Sequence, residues 1–344
     1  MAISQAAIDD LARRGAEQGV DLRPGLALVE DRLRTQIAAD LPFVEHASRY
    51  LMDAGGKRFR PMLVLLSGLL SRPDATDDAL VSAGVIVELV HLSTLYHDDV
   101  MDAADIRRGL PAAHMKWSNT VAILTGDFLL ARASELSAAL GVEVTRIMAR
   151  TIADLCQGQI REVQGSSEAQ LHGAAQIIPD QEHYLKVIGE KTASLISASC
   201  RLGGLLSGQD PARMEALSRY GWHLGMSFQL ADDLLDIDSR STESGKVPGT
   251  DLREGVRTLP VLLALAEDGE DSELARLIDD PTEDNVMRAL KLLREHPALE
   301  VARSAARLEA AKAKSALAPL GAAGQESALK GLAYLADYAA ERVS

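Results

Sequence analysis

Residues 96–102 read Tyr-His-Asp-Asp-Val-Met-Asp, and residues 230–236 read Leu-Ala-Asp-Asp-Leu-Leu-Asp. On a helix, Asp98 and Asp102 are four apart and project from one face, and Asp232 and Asp236 repeat that geometry. Each set ends an otherwise apolar run, Val85 to Tyr96 before the first and Leu224 to Leu230 before the second. Unpaired carboxylates at the end of a buried helix are costly unless a cation neutralises them. Their hard oxygens suit Mg²⁺, which takes one or two carboxylates and completes its shell with water and phosphate. An acidic helix end explains one such motif; two copies in similar contexts point to a paired metal site. His91 lies seven residues before Asp98, and Gln229 three before Asp232, so each shares the acidic face of its helix. Both read as phosphate or metal contacts, with a satisfied core residue as the alternative.

Working outward, the remaining sequence is helical in pattern. Apolar steps of three and four residues predict helices at roughly 26–42, 62–71, 77–102, 118–139, 142–165, 180–207, 212–238, 258–278, 284–295, 299–317 and 323–342, with no strand-turn-strand pattern. The aromatic residues are few (4 Phe, 6 Tyr and 2 Trp in 344), which favours packed helices over strands. The expectation is an all-α bundle of about ten or more helices around a central apolar cavity, a polar extension over 1–24 and a single domain over 25–344. Segment 239–250 reads either as a lid over the second aspartate motif or as a plain connector.

Composition removes several classes of function. The formal net charge is −14, unsuited to general nucleic-acid binding or to docking on anionic membranes. Cys156 and Cys200 make no disulfide framework or metal spacing. The longest apolar stretch, Ala79 to Tyr96, contains Glu88 and His91 and reads as a buried helix, not a membrane span. With no secretory pattern at the start, the expected location is the cytoplasm.

Against this acidic background the cations are concentrated. Gly55-Gly56-Lys57-Arg58-Phe59-Arg60-Pro61 sets three charges behind a glycine pair, Arg107-Arg108-Gly109 follows the first aspartate motif, and Lys191 and Lys246 come later. Arginine forks and lysine heads beside glycine-exposed backbone are suited to diphosphate. Together with two Mg²⁺ faces they fit an ionisation whose leaving group is diphosphate, with charge on the departing oxygens stabilised electrostatically.

These motifs resemble the all-trans polyprenyl diphosphate synthases of the isoprenoid synthase superfamily. The likeness runs through GGKRFRP at 55–61, ELVHLSTLYHDDVMDAADIRRG at 88–109, GEKTASLI at 189–196, FQLADDLLD at 228–236 and SGKVPGTDLREGVRTLP at 244–260. It is greatest to the actinobacterial long-chain and geranylgeranyl members. The resemblance implies the isoprenoid synthase fold, usually a homodimer, and a prenyltransferase joining isopentenyl diphosphate to an allylic diphosphate. It implies Mg²⁺, three ions once substrate is bound, on Asp98, Asp102 and Asp232, with Asp99, Asp233 and Asp236 in support. Lys57, Arg60, His91 and Arg108 would bind isopentenyl diphosphate. Arg107, Lys191 and Lys246 would bind the allylic diphosphate, and Thr192 and Gln229 would lie near the reacting carbons. The released diphosphate would take the proton.

One departure is Val256, where many relatives carry lysine; Arg257 follows it. The positions that set chain length in the family are here the small Ser93 and Thr94, which implies an open tunnel and a product of about C30–C50, as for menaquinone side chains. Tyr96 would narrow the tunnel if turned inward, and geranylgeranyl diphosphate (C20) is then the alternative product. Three rivals fit less well. A phosphohydrolase built on His97-Asp98 leaves the second motif unexplained, a terpene cyclase would not carry DDLLD, and a non-catalytic subunit would not keep both motifs.

Overall fold

The computed structural model describes residues 21–165, 173, 175–238, 248–269, 271–321 and 326–342. Helices α1 (Arg23–Gln36), α2 (Pro42–Asp53), α3 (Phe59–Leu69) and α4 (Asp78–Met101) come first. A two-stranded hairpin, β1 (Ile106–Arg107) and β2 (Leu110–Pro111), precedes α5 (Ala113–Lys116), α6 (Asn119–Leu140), α7 (Val142–Gly165) and α8 (Gln181–Ile188). One π-helical turn, Gly189–Ala193, leads into α9 (Ser194–Leu206) and the long α10 (Pro211–Asp238). Then follow α11 (Thr250–Arg253), α12 (Leu259–Asp268), α13 (Glu273–Asp279), α14 (Glu283–Glu295), α15 (Pro297–Ala316) and α16 (Glu326–Glu341).

The helix starts carry their chemistry locally. Asp77 caps α4 by accepting from the amides of Ala79 (3.1 Å) and Leu80 (3.2 Å), and Ser118, Asp180, Ser272 and Thr282 cap α6, α8, α13 and α14 in the same way. Prolines stand in the first turn of α1, α2, α12 and α15, where a missing N–H costs nothing. Two apolar cores result. One gathers α1, α3, α4, α6, α7, α9 and α16; the other gathers α8 and α12–α15. Helix α10 runs through both: Leu217, Tyr220, Leu224 and Phe228 belong to the first, and Leu230, Leu234 and Ile237 to the second. It thereby carries the second aspartate motif to the seam between them.

The helical expectation is met, with four corrections. The single helix expected over 26–42 is two: α1 starts at Arg23 and ends at Gln36, and Pro42 opens α2, because proline at a first helical position begins a helix more readily than it ends one. The run expected over 258–278 breaks at Gly269, whose φ of +87° ends α12. The run over 180–207 is interrupted by the π turn. The hairpin is an addition, closed by Arg108 and Gly109 with φ of +52° and +77°, the left-handed pair of a two-residue turn. Leu22, inside the expected extension, is buried. Helix α4 is long and apolar enough to cross a membrane, but 78% of its apolar window is buried within the bundle.

Candidate active site

The expected cation cluster is assembled. Lys57, Arg58, Arg60, His91, Arg108 and Glu88 line a cavity of about 400 Å³ with the backbone of Gly55 and Gly56. Gly56 has no room for a side chain: a Cβ there would lie 2.3 Å from Nη1 of Arg58 and 2.9 Å from Nη1 of Arg108. The three arginines differ in duty. Arg58, in the left-handed region at φ +48°, pairs with Glu30 on α1 (2.7 Å) and with the buried Glu88 on α4 (3.1 Å), and so holds the turn in place. Arg108 donates to the carbonyls of Leu51 (2.7 Å) and Gly55. Arg60 is buried, its Nε has no hydrogen-bond partner among the described residues, and burial lowers it to about 10. Burial lowers Lys57 as well, and His91 is pushed well below its ordinary value by burial and by Arg60 and Arg108. A pocket of crowded, partly desolvated cations with one buried carboxylate, Glu88, favours an added anion. Glu88 was visible in the sequence only as a charge inside an apolar helix; its role as counter-ion to the arginines emerges from the fold.

The first aspartate motif ends α4. No described side chain hydrogen-bonds the carboxylates of Asp98 or Asp102. Burial pushes Asp98 up to about 6, with Lys191 pulling it down and Asp102 and Glu162 adding to the rise; burial raises Asp102 too. Lys191 ion-pairs with Glu162 and is raised despite its burial, because Glu162, Asp98 and Asp102 favour its charge. Asp99 points elsewhere: fully buried, it takes Nε of Arg107 at 2.5 Å.

On α10 the three aspartates separate in the same way. Asp233 is held by the hydroxyl of Tyr184 and by Nε2 of Gln229 (2.8 Å), whose Oε1 accepts from Thr192 (2.9 Å). Burial pushes Asp233 up to about 7. Asp236 accepts the amides of Thr250 (3.2 Å) and Asp251 (3.1 Å) and so caps α11. Asp232 ion-pairs with Arg342 beyond the end of α16, at 2.5 Å. Arg342 and Tyr184 had no signal in the sequence reading, since neither lies in a motif.

Lys57, Arg60, His91 and Arg108 thus share one pocket, and each aspartate motif ends or lies on a long helix, α4 and α10. Lys246 lies outside the described residues, as does most of segment 239–250. The buried Tyr96 donates its hydroxyl to the carbonyl of Ala47 (2.5 Å) and accepts from the amide of Leu51 (3.2 Å), tying α4 to α2. Ser93 is buried and Thr94 donates to the carbonyl of His91 (2.9 Å). Arg257 pairs with Asp279 (2.9 Å) on the outer side and does not stand in for a lysine at Val256. His97 is taken up by α6, with Nε2 3.1 Å from the carbonyl of Ile123 and 3.3 Å from Asp127.

The donor set fits a hard divalent cation. Carboxylates raised by their own burial, with Lys191 and Arg342 standing beside them as counter-charges, gain from any added cation. Among the described residues no three metal-ligating side chains converge into a closed cage, which accords with an ion that draws much of its shell from water and phosphate.

The family described as polyprenyl synthetase matches residues 42–293. The nonaprenyl diphosphate synthase of Mycobacterium tuberculosis is 47% identical over 93% of each chain. Among solved structures, a decaprenyl diphosphate synthase from Rhodobacter capsulatus superposes with a TM-score of 0.85 at 34% identity, covering 98% of this chain and 99% of its own. A polyprenyl synthase from Caulobacter crescentus, complexed with calcium and isoprenyl diphosphate, does so with the same TM-score and identity over 98% of each chain.

Proposed function

This chain belongs to the polyprenyl synthetase family and is a prenyltransferase of the isoprenoid synthase fold, and on that basis we propose how its own residues divide the reaction. The observation that carries the reading is the cationic pocket of Lys57, Arg60, His91 and Arg108 set beside the unpartnered carboxylates of Asp98 and Asp102. The pocket holds the diphosphate of isopentenyl diphosphate: Lys57, Arg60 and Arg108 supply charge, and His91, kept neutral, supplies a hydrogen bond. The allylic diphosphate lies opposite, against Arg107 and Lys191, with Lys246 joining from the segment before α11. Asp98, Asp102 and Asp232 hold Mg²⁺, which when bound neutralises charge on the leaving diphosphate; the calcium in the Caulobacter relative supports a divalent ion here. Asp99, Asp233 and Asp236 act at one remove, by orienting Arg107, Gln229 and the start of α11. Thr192 and Gln229 face the allylic carbons as the bond breaks and the alkene of isopentenyl diphosphate attacks.

The product is long, about C30–C50. The nonaprenyl and decaprenyl relatives support this, as do the small Ser93 and Thr94 and the outward tether of Tyr96. The enzyme works as a cytoplasmic homodimer. The test is product analysis: the purified chain receives Mg²⁺, labelled isopentenyl diphosphate and, separately, C5, C10, C15 and C20 primers. A ladder ending between C30 and C50 is expected. Termination at C20 overturns the length and keeps the reaction, whereas no condensation with any primer overturns the catalytic reading of this chain alone.

A further inference from the structure

Arg342, the first residue after α16, stands where the C-terminal helix meets the site. Nη2 pairs with Asp232 at 2.5 Å, the guanidinium carbon lies 5.5 Å from the centre of the Phe228 ring, and the side chain is only 10% exposed. Nη1 is buried and has no hydrogen-bond partner among the described residues. A charged donor shut away from water without an acceptor is uncommon and calls for an account. The surroundings supply one. Lys57, which lines the cationic pocket, feels both the repulsion of Arg342 and the attraction of Asp232, so the Arg342–Asp232 pair lies within electrostatic reach of that pocket. Two like charges crowd one space, and one of them carries a spare, buried donor. An anion with several oxygens satisfies both at once, and a guanidinium fork is shaped to bridge a carboxylate on one arm and a phosphate on the other.

We propose that Arg342 is a substrate-binding residue, its Nη1 donating to a diphosphate oxygen while Nη2 stays on Asp232. This rests on the reading of the Lys57–Arg60–Arg108 pocket as a diphosphate site. Through this contact the end of the C-terminal helix becomes part of the substrate site.

The test uses the whole chain with Arg342→Gln, Arg342→Lys and, as a control on the pocket itself, Arg60→Gln. Isopentenyl diphosphate is titrated calorimetrically into each protein in EDTA, and KM is measured in Mg²⁺ for isopentenyl diphosphate and for farnesyl diphosphate separately. Arg342→Gln is expected to weaken substrate diphosphate at least tenfold, and Arg342→Lys to recover part of the loss. A fall in isopentenyl diphosphate affinity assigns the contact to that substrate; a rise confined to the farnesyl diphosphate KM assigns it to the primer. Unchanged affinity and unchanged KM for both, with only a lower melting temperature, overturns the proposal and leaves Arg342 a strut. If Arg60→Gln also binds as wild type does, the pocket reading fails with it, a result distinct from failure of Arg342 alone.

Discussion

Of the six aspartates in the two motifs, four are bound by the protein, and Asp98 and Asp102 accept from no described side chain. Asp99, Asp233 and Asp236 spend their oxygens on Arg107, on Tyr184 and Gln229, and on the amides that open α11. Asp232 pairs with Arg342, and Asp98 and Asp102 lie beside Lys191 without a described hydrogen bond to it. Asp98→Asn or Asp102→Asn should therefore lower kcat/KM by roughly 10²–10³-fold or more, the scale of losing one transition-state electrostatic contact. Tyr184→Phe should cost less, since it only frees Asp233 to turn, and it should act on kcat more than on KM; equal loss in both would point to a substrate contact instead. The pH response follows from Asp98, which burial raises to about 6 from its ordinary 3.8. Ionised above that pH, it burdens the metal-free fold, and acid relieves the burden by protonation. The proton competes with the cation, so the rise in melting temperature on adding Mg²⁺ with inorganic diphosphate should be larger near pH 8 than near pH 5.5. Equal rises at both would remove Asp98 from the metal site. The i, i+4 spacing made the carboxylates legible in the sequence. Which of them the fold pre-empts was not, because Tyr184, Arg342 and the amides of 250–251 reach them from 14 to 110 residues away.

The element that places Lys191 and Thr192 is the π turn between α8 and α9. A widened turn exposes its side chains differently from an α-helix and is a recurrent device at functional sites. Here it fits only because its neighbours are bare: a Cβ on Gly158 of α7 would lie 2.6 Å from the amide nitrogen of Lys191, and one on Gly225 of α10 would lie 2.6 Å from Cα of Ala193. Backbone cannot yield as a flexible side chain can. Gly225→Ala should therefore cost about 1–3 kcal/mol of stability and weaken primer binding together. Denaturant unfolding and the primer KM check this, and a variant with normal stability and KM would mean that the turn is not wedged. Sequence periodicity registers 180–207 as one helix because a single extra residue hardly disturbs an apolar stripe. The missed start at Pro42 has a similar source: α1 and α2 are both amphipathic, and the short link 37–41, ending in the extended Leu41 at ψ 110°, separates their registers. Long apolar helices such as α4 and α10 were legible; joints between short ones were not.

For the molecule as a whole, the seam between two cores is where α10 delivers its aspartates, and the proposed homodimer needs an apolar face elsewhere. Ile123 (42% exposed) and Leu124 (61%) are on α6, and Phe43 (52%) on α2 and Met115 (58%) on α5 belong to helices packed against it; exposed apolar residues of this kind are what a second copy would cover. Sedimentation should give a dimer, and Leu124→Glu should shift it towards monomer; a wild-type monomer would overturn the assignment. Helix α6 also presses on α4 at Gly126, where a Cβ would lie 2.3 Å from Nε2 of His97, so α6 backs directly on the helix of the first motif. The isoprenoid synthase architecture was legible from its motifs, whereas the pairing of distant ends, Glu30 with Arg58 and Asp232 with Arg342, had to be seen in space. The Arg58 strut has a consequence for anyone scanning this protein by mutation. Loss of Arg58 should collapse the turn that presents Lys57 and Arg60, so a tolerance map would score all three alike, and Glu30 and Glu88 beside them. Such a map would draw the ligand site one shell too wide, and only direct titration of isopentenyl diphosphate into each folded variant separates the residues that grip the anion from those that hold the hand.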